Sequence, residues 1–111
     1  MVVGVVGSRS FQDFALLQQS LAPFPVCSVV SGGAQGADSL AAQWAVSRGL
    51  HLVVHKPEYS RFGKAAPLHR NKLIVQSCEL LVAFWDGHSR GTKHAIDFAV
   101  RSGVRVLVVP F

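Results

Sequence analysis

The chain has 111 residues, half of them hydrophobic and 15% charged, with a formal net charge of +5 at pH 7. That balance excludes a disordered polar chain, and no apolar run approaches the ~20 residues of a membrane-spanning helix. The opening Met1-Val2-Val3-Gly4-Val5-Val6-Gly7 lacks the basic leader and long apolar region of a signal peptide. It reads as a first core strand, so one domain over residues 1–111 and a cytoplasmic location are expected, with no membrane partner. The positive charge suits an anionic small ligand, with nucleic acid a less favoured partner and a merely basic soluble surface the plain alternative. Its densest group is Arg61, Lys64, His69, Arg70 and Lys72.

Strand and helix patterns alternate along the chain. Val2 to Val6 is a β-branched run bounded by Gly7, after which Ser10 is the expected N-cap of a first helix, with Asp13 at N3. Phe11, Phe14, Leu17 and Leu21 recur at helical spacing until Pro23 and Pro25 end the pattern. Val26 to Val30 is the second strand. Ala37, Leu40, Ala41, Trp44 and Ala45 mark one face of a second helix that Gly49 stops, and Leu50 to Val54 is the third strand. His55 to Ala66 is the longest irregular stretch, followed by a third helix from Pro67 to about Ser77. Glu79 to Phe84 is the fourth strand. Ala95, Phe98, Ala99 and Ser102 give the inner face of a fourth helix stopped by Gly103, and Val104 to Val109 is the fifth strand. This succession predicts an α/β fold, a Rossmann-like three-layer domain. Its five-stranded parallel sheet takes the order 3-2-1-4-5, with helices on both faces. The turns after strands one, two and four then meet at the carboxyl edge, where ligands bind in such sheets.

Two of those turns are glycine-rich: Ser31-Gly32-Gly33-Ala34-Gln35-Gly36-Ala37-Asp38 and Gly87-His88-Ser89-Arg90-Gly91-Thr92. A strand, glycine turn and helix in succession form the local geometry that cradles phosphate, because glycine lets backbone approach an anion and the helix start offers unpaired N–H groups. Neither turn is a Walker A loop, and the first lacks the spacing of a dinucleotide fingerprint. In the strand-one turn, Gly7 permits close approach, Ser8 offers a hydroxyl and Arg9 a cation, against a plain reading as helix cap and solvated arginine. Asp38 either caps its helix, holds the turn or accepts a ribose hydroxyl. Arg70, Leu73, Ile74 and Ser77 share one helical face that is expected to be buried. Arg70 there requires a salt bridge, to Asp38 or Asp86, or an anionic ligand. With Asn71 it starts its helix at the same sheet edge. In the second turn Thr92 is placed to hold phosphate through its hydroxyl and N–H, beside Gly87, Ser89, Arg90 and Gly91. Trp85 either stacks on a base and lines the pocket, or packs beneath the loop or against a subunit. Tyr59, Phe62 and Lys64 belong to a lid or to an ordinary surface loop.

The five histidines, at 51, 55, 69, 88 and 94, show no metal spacing, and Cys27 and Cys78 read as buried reduced thiols. No metal and no cofactor is expected. No Ser/His/Asp order or nucleophile elbow is present.

Three blocks carry a resemblance: Val30 to Asp38, Gly63-Lys64-Ala65-Ala66-Pro67-Leu68-His69-Arg70-Asn71, and Leu81 to Thr92. In this order they resemble the YspA-type branch of the SLOG superfamily, Rossmann-like nucleotide-ligand proteins related to the DNA-processing protein DprA and to the LOG phosphoribohydrolases. The resemblance implies a pocket for a nucleotide or nucleotide-derived ligand, with Gly32, Gly33, Arg70, Asn71, Gly87, Gly91 and Thr92 at the family's ligand-loop positions, and with homo-oligomers. The LOG enzymes release base from nucleoside 5′-monophosphates with an arginine on the helix before the second turn and a glutamate three residues after its Gly-Thr. Arg70 matches the arginine and would be the catalytic residue of an enzyme, but the glutamate position is Ala95. Asp97, further round the helix, is a poor substitute. The first expectation is therefore a binding protein or sensor for a nucleotide-derived ligand. A phosphoribohydrolase or N-glycosidase is the alternative, and a single-stranded nucleic-acid-binding module the third reading. Trp44, Phe98 and Phe111 are candidate residues for a subunit interface, with burial in the core as the alternative.

Overall fold

The computed structural model describes residues 1–111. Along the chain run β1 (Val2–Gly7), α1 (Phe14–Leu21), β2 (Ser28–Ser31), α2 (Ala37–Ser47), β3 (His51–Val54), the single-turn α3 (Tyr59–Phe62), α4 (Ala66–Gln76), β4 (Leu80–Trp85), α5 (Arg90–Arg101) and β5 (Arg105–Pro110). The five strands form one sheet in the order β3-β2-β1-β4-β5, every pairing parallel. This is the Rossmann-like arrangement that the sequence predicts.

Alternation along the central strands divides the core into two layers. Val3, Val5, Val29, Leu80, Val82 and Phe84 point to one face, where Leu17 and Leu21 of α1 and Ala41, Trp44 and Ala45 of α2 cover them. Val6, Val30, Leu81 and Ala83 point to the other, beneath Ile74 and Val75 of α4 and Ala95 and Ala99 of α5. β1 and β4 are buried along most of their length, whereas the edge strands β3 and β5 alternate between half-buried and exposed positions. No helix is long and apolar enough to cross a membrane.

Five expectations change. The N-cap of α1 is Asp13, whose carboxylate accepts the Leu16 N–H at 3.0 Å, not Ser10. Phe11 has the helical spacing but lies ahead of the helix, its ring stacked on Phe84 at 4.6 Å and 1% exposed. The irregular stretch after β3 contains α3 and a 3-10 turn over Gly63–Ala65. On α4 the buried side runs through Asn71, Ile74 and Val75, while Leu73 and Ser77 are exposed. Lastly, Cys27 is an exposed thiol and Cys78 a half-buried one, so only the free state of the cysteines agrees with the expectation, not their burial.

Candidate functional site

Because β2, β1 and β4 are the three central strands, the segments leaving their carboxyl ends emerge side by side. The chain turns to one side of β1 to make β2 and to the other to make β4, and the crevice at such a reversal is open. Two adjoining hollows occupy it. The inner one, about 150 Å³, is walled by Arg9, Asp38, Arg70, Asn71, Ser89 and Thr92, with Val6 and Ile74 among its apolar contributors. The outer one, about 410 Å³, is lined by Gly33, Gln35, Pro57 and Tyr59. Arg9, Ala34, Pro67 and Arg70 border both.

The first glycine turn is tightly packed. A Cβ on Gly36 would lie 2.5 Å from the Ser8 carbonyl oxygen and 2.6 Å from that of Arg9, and its φ of +79° is one that side-chain-bearing residues avoid. Gly7 is equally confined, since a Cβ there would meet the Ala37 methyl at 2.5 Å and the Phe84 carbonyl oxygen at 2.8 Å. These two glycines act by bringing the strand-one turn, the first glycine turn and β4 into backbone contact. Ser8 braces the same junction: its N–H donates to Phe84 O at 3.0 Å and its hydroxyl accepts the Asp86 N–H at 3.3 Å. Arg9 is exposed and lines both hollows. Ser31 is fully buried, its hydroxyl without a partner and its carbonyl taking the His55 N–H at 2.8 Å.

Asp38 lies in the first turn of α2, but its carboxylate turns back on the loop and accepts the Ala34 N–H at 3.1 Å. It thus holds the turn. Burial pushes its pKa up from 3.8 to about 6, a rise opposed by the Ala34 N–H, the Arg70 charge and the Gly32 N–H.

Arg70 forms neither of the salt bridges considered for it; the protein's ion pairs are Arg61–Glu58 and Lys93–Asp97. Its Nη1 donates instead to Gly32 O at 2.6 Å and its Nε to Asn71 Oδ1 at 3.0 Å. The guanidinium fills the space above Gly32, so no side chain fits at that position without moving it. Asn71 in turn donates to Gly91 O at 3.1 Å, which ties α4 to the start of α5.

The second glycine turn is open. Asp86 Oδ1 accepts the N–H groups of His88 and Ser89, each at 2.8 Å, and those two bonds, Ser89 first, hold its pKa below the ordinary carboxylate value. In α5 the Lys93 N–H reaches back to Ser89 O at 3.2 Å. The preceding amides of Arg90, Gly91 and Thr92 have no acceptor within the helix. Thr92 is buried, with its hydroxyl 3.1 Å from that of Ser89. Nothing stands over Gly91 within 4 Å of where a Cβ would be.

The inner hollow therefore gathers Gly7, Arg9, Asp38, Arg70, Asn71, Ser89, Gly91 and Thr92 from the expected set, and the outer one adds Gly32 and Gly33. Trp85 is not brought there: its indole N–H donates to Ser89 O at 3.0 Å, fastening the loop from beneath. Gly87 and Arg90 also lie outside both hollows, and Arg90 is exposed. Sequence reasoning missed the walls formed by Ala34 and Pro67. It also missed the turn-forming role of Asp86, although an aspartate two and three residues ahead of the amides it binds is a recognisable Asx signal. Tyr59 lines the outer hollow, Phe62 stacks on His69 at 3.8 Å and Lys64 is exposed. Ala95 is 0% exposed and packed on the sheet, and Asp97 is ion-paired with Lys93 at 2.8 Å on the outer side of α5. Trp44, a candidate for a subunit interface with burial in the core as the alternative, is buried between α2 and the sheet at 3% exposure. Phe98 is half-buried, and Phe111 is exposed with its ring edge-on to Phe11 at 4.9 Å.

A model of the YspA, cpYpsA-related SLOG family matches residues 1–62, from β1 through α3 and including the first glycine turn. The chain is also similar to the gene 61 protein of Mycobacterium phage D29, with 30% identity over 115 residues that cover 93% of this chain and 91% of that protein.

Proposed function

The chain belongs to the YspA, cpYpsA-related SLOG family, and on that premise we propose that it binds a nucleotide-derived ligand in the cleft at the carboxyl edge of its sheet, as a sensor or ligand-binding protein. Membership of this family suggests nucleotide-related ligand binding in general. The finer reading rests on one observation: a helix start with uncommitted amides, two hydroxyls and two arginines face one small hollow. The amides of Gly91 and Thr92 and the hydroxyls of Ser89 and Thr92 are donors suited to phosphate oxygens, and the positive end of α5 favours negative charge there. Arg70 and Arg9 balance the remaining charge. The outer hollow, with Tyr59 and Pro57 on its walls, receives the rest of the molecule.

The reading is one of binding, not of turnover. The Ala95 side chain is wholly buried against the sheet, and as an alanine it supplies no carboxylate to the cleft. A thermal-shift screen against nucleoside mono-, di- and triphosphates, cyclic nucleotides, NAD and ADP-ribose tests the proposal, with each hit assayed for released base. A stabilising ligand recovered intact is the expected result, because a ligand that binds only the folded state raises its melting temperature. No shift with any of them at millimolar concentration refutes the proposal, and a hit that is consumed replaces it with the phosphoribohydrolase reading.

A further inference from the structure

Among the cationic and hydroxyl groups of the inner hollow there is one carboxylate. Asp38 is 5% exposed, yet its donors are two backbone groups, the Ala34 N–H, reaching Oδ2 at 3.1 Å, and the Gly32 N–H. An ionised carboxylate has roughly four acceptor positions, and leaving them short of donors in a buried site is costly. The arginines that share the cavity do not supply them. Arg70, the cation nearest in effect, gives Nη1 to the Gly32 carbonyl and Nε to Asn71, and no ion pair joins either arginine to Asp38. The acid thus retains acceptor capacity in the wall of a cavity otherwise furnished with donors.

Its position narrows what fills that capacity. Asp38 shares the 150 Å³ inner hollow with Ser89, Gly91 and Thr92, whereas Tyr59 and Pro57 line the outer one. The inner hollow is small, about 150 Å³, and opens onto the outer one, so the group attached to a phosphate held at Ser89, Gly91 and Thr92 lies beside Asp38. In a nucleotide the group bonded directly to the phosphate is the sugar, and the donors a ribose offers are its two adjacent hydroxyls.

We infer that Asp38 is a specificity-determining residue of this site: it accepts hydrogen bonds from the ribose hydroxyls, and the ligand class is a ribonucleotide in preference to a 2′-deoxyribonucleotide. This rests on the proposed nucleotide site and adds the sugar to it. The charged groups facing Asp38 are Arg70 from α4 and Arg9 from the segment after β1. With its pKa at about 6, Asp38 is an acceptor at neutral pH and loses acceptor capacity in mildly acid solution.

The test is calorimetric titration of the protein with the four ribonucleoside 5′-monophosphates and their 2′-deoxy counterparts. At neutral pH the better ribonucleotide binds about tenfold or more tightly than its deoxy form, the scale of a hydrogen bond to a charged group. That ratio shrinks as pH falls through about 6. Reading a ratio cancels the titration of the phosphate itself, which occurs in the same range. In Asp38→Asn the ratio falls towards one. Should that variant fail to fold, the ratio in the unaltered protein and its pH dependence still decide. Equal affinity for both sugars, or a preference indifferent to pH and to Asp38→Asn, overturns the inference while leaving the nucleotide site standing. Failure of every nucleotide to bind overturns both.

Discussion

The two glycine-rich turns look alike as sequence and are built for opposite purposes. In the first, space is the constraint: Gly36 sits against the backbone of Ser8 and Arg9, and Gly32 lies beneath Arg70. In the second, Gly87 and Gly91 have nothing within 4 Å of where a Cβ would stand, and the amides around Gly91 are uncommitted. Their aspartates differ in the same sense. Asp38 is buried, so its pKa rises to about 6 against its backbone donors, whereas Asp86 is exposed and the N–H groups of Ser89 and His88 lower its pKa. The first turn is a packed frame enclosing an ionisable group, and the second is a preformed anion cradle. Glycine in the one is steric; in the other Gly87 supplies a φ of +85° and Gly91 leaves open space beside the hollow.

The largest effect should come from attacking the frame. Gly36→Ala places a methyl group within 2.6 Å of two carbonyl oxygens at a φ of +79°, and a loss of about 2–4 kcal/mol in denaturant unfolding is expected from strain and overpacking together. A loss below about 1 kcal/mol would mean the frame is looser than described.

The second effect is electrostatic and has a definite sign. A carboxyl whose pKa is raised from 3.8 in the unfolded chain to about 6 in the fold holds its proton better when folded. Stability is thus greatest below the unfolded value and falls as pH rises from about 4 through 6. At neutral pH the cost is on the order of 2–3 kcal/mol. Asp38→Asn should therefore stabilise the ligand-free protein at pH 7 and do little near pH 4, as read from melting curves across that range. Asp86 works the other way, contributing above the ordinary carboxylate pKa and losing its contribution as pH falls. An Asp38→Asn variant less stable at neutral pH than at acid pH, relative to its parent, would contradict the contrast between the two acids.

The third effect concerns Arg70, which spans the two regions by gripping the Gly32 carbonyl and, through Asn71, the start of α5. Arg70→Ala should weaken binding of a nucleotide by roughly tenfold to a hundredfold, the scale of a charge-assisted phosphate contact, with a much smaller change in melting temperature. Unchanged affinity would remove Arg70 from the site. Smallest of all is Gly91→Ala, where open space and an ordinary backbone leave helix propensity to act, and stability should rise by about 0.5–1 kcal/mol or stay level.

Much of the frame was legible in the sequence. Runs such as Val2–Val6 and Leu80–Phe84 each lead into a glycine-containing turn, and right-handed parallel crossovers permit few orders for five such strands. The helix starts were less legible for local reasons. Ser10 and Asp13 are both good caps three residues apart, and Phe11 mimicked a helical position because its ring stacks on Phe84 from the loop. On α4, Arg70 suggested a buried face through Leu73 and Ser77, but the polar Asn71 takes the inward position because Gly91 offers it an acceptor from another helix. That partner is 20 residues away, beyond what periodicity conveys. For the same reason the sequence located Asp38 and Arg70 at one edge without revealing that they stand in the same cavity unpaired.

The most direct test is a map of amide chemical shifts in isotope-labelled protein during titration with a nucleoside 5′-monophosphate. The account predicts that the amide signals of Gly91 and Thr92 move most, followed by those of Ser89 and of the first glycine turn, all with one binding constant. Shifts scattered over the basic surface around Arg61 and Lys72, with Gly91 and Thr92 unmoved, would contradict it.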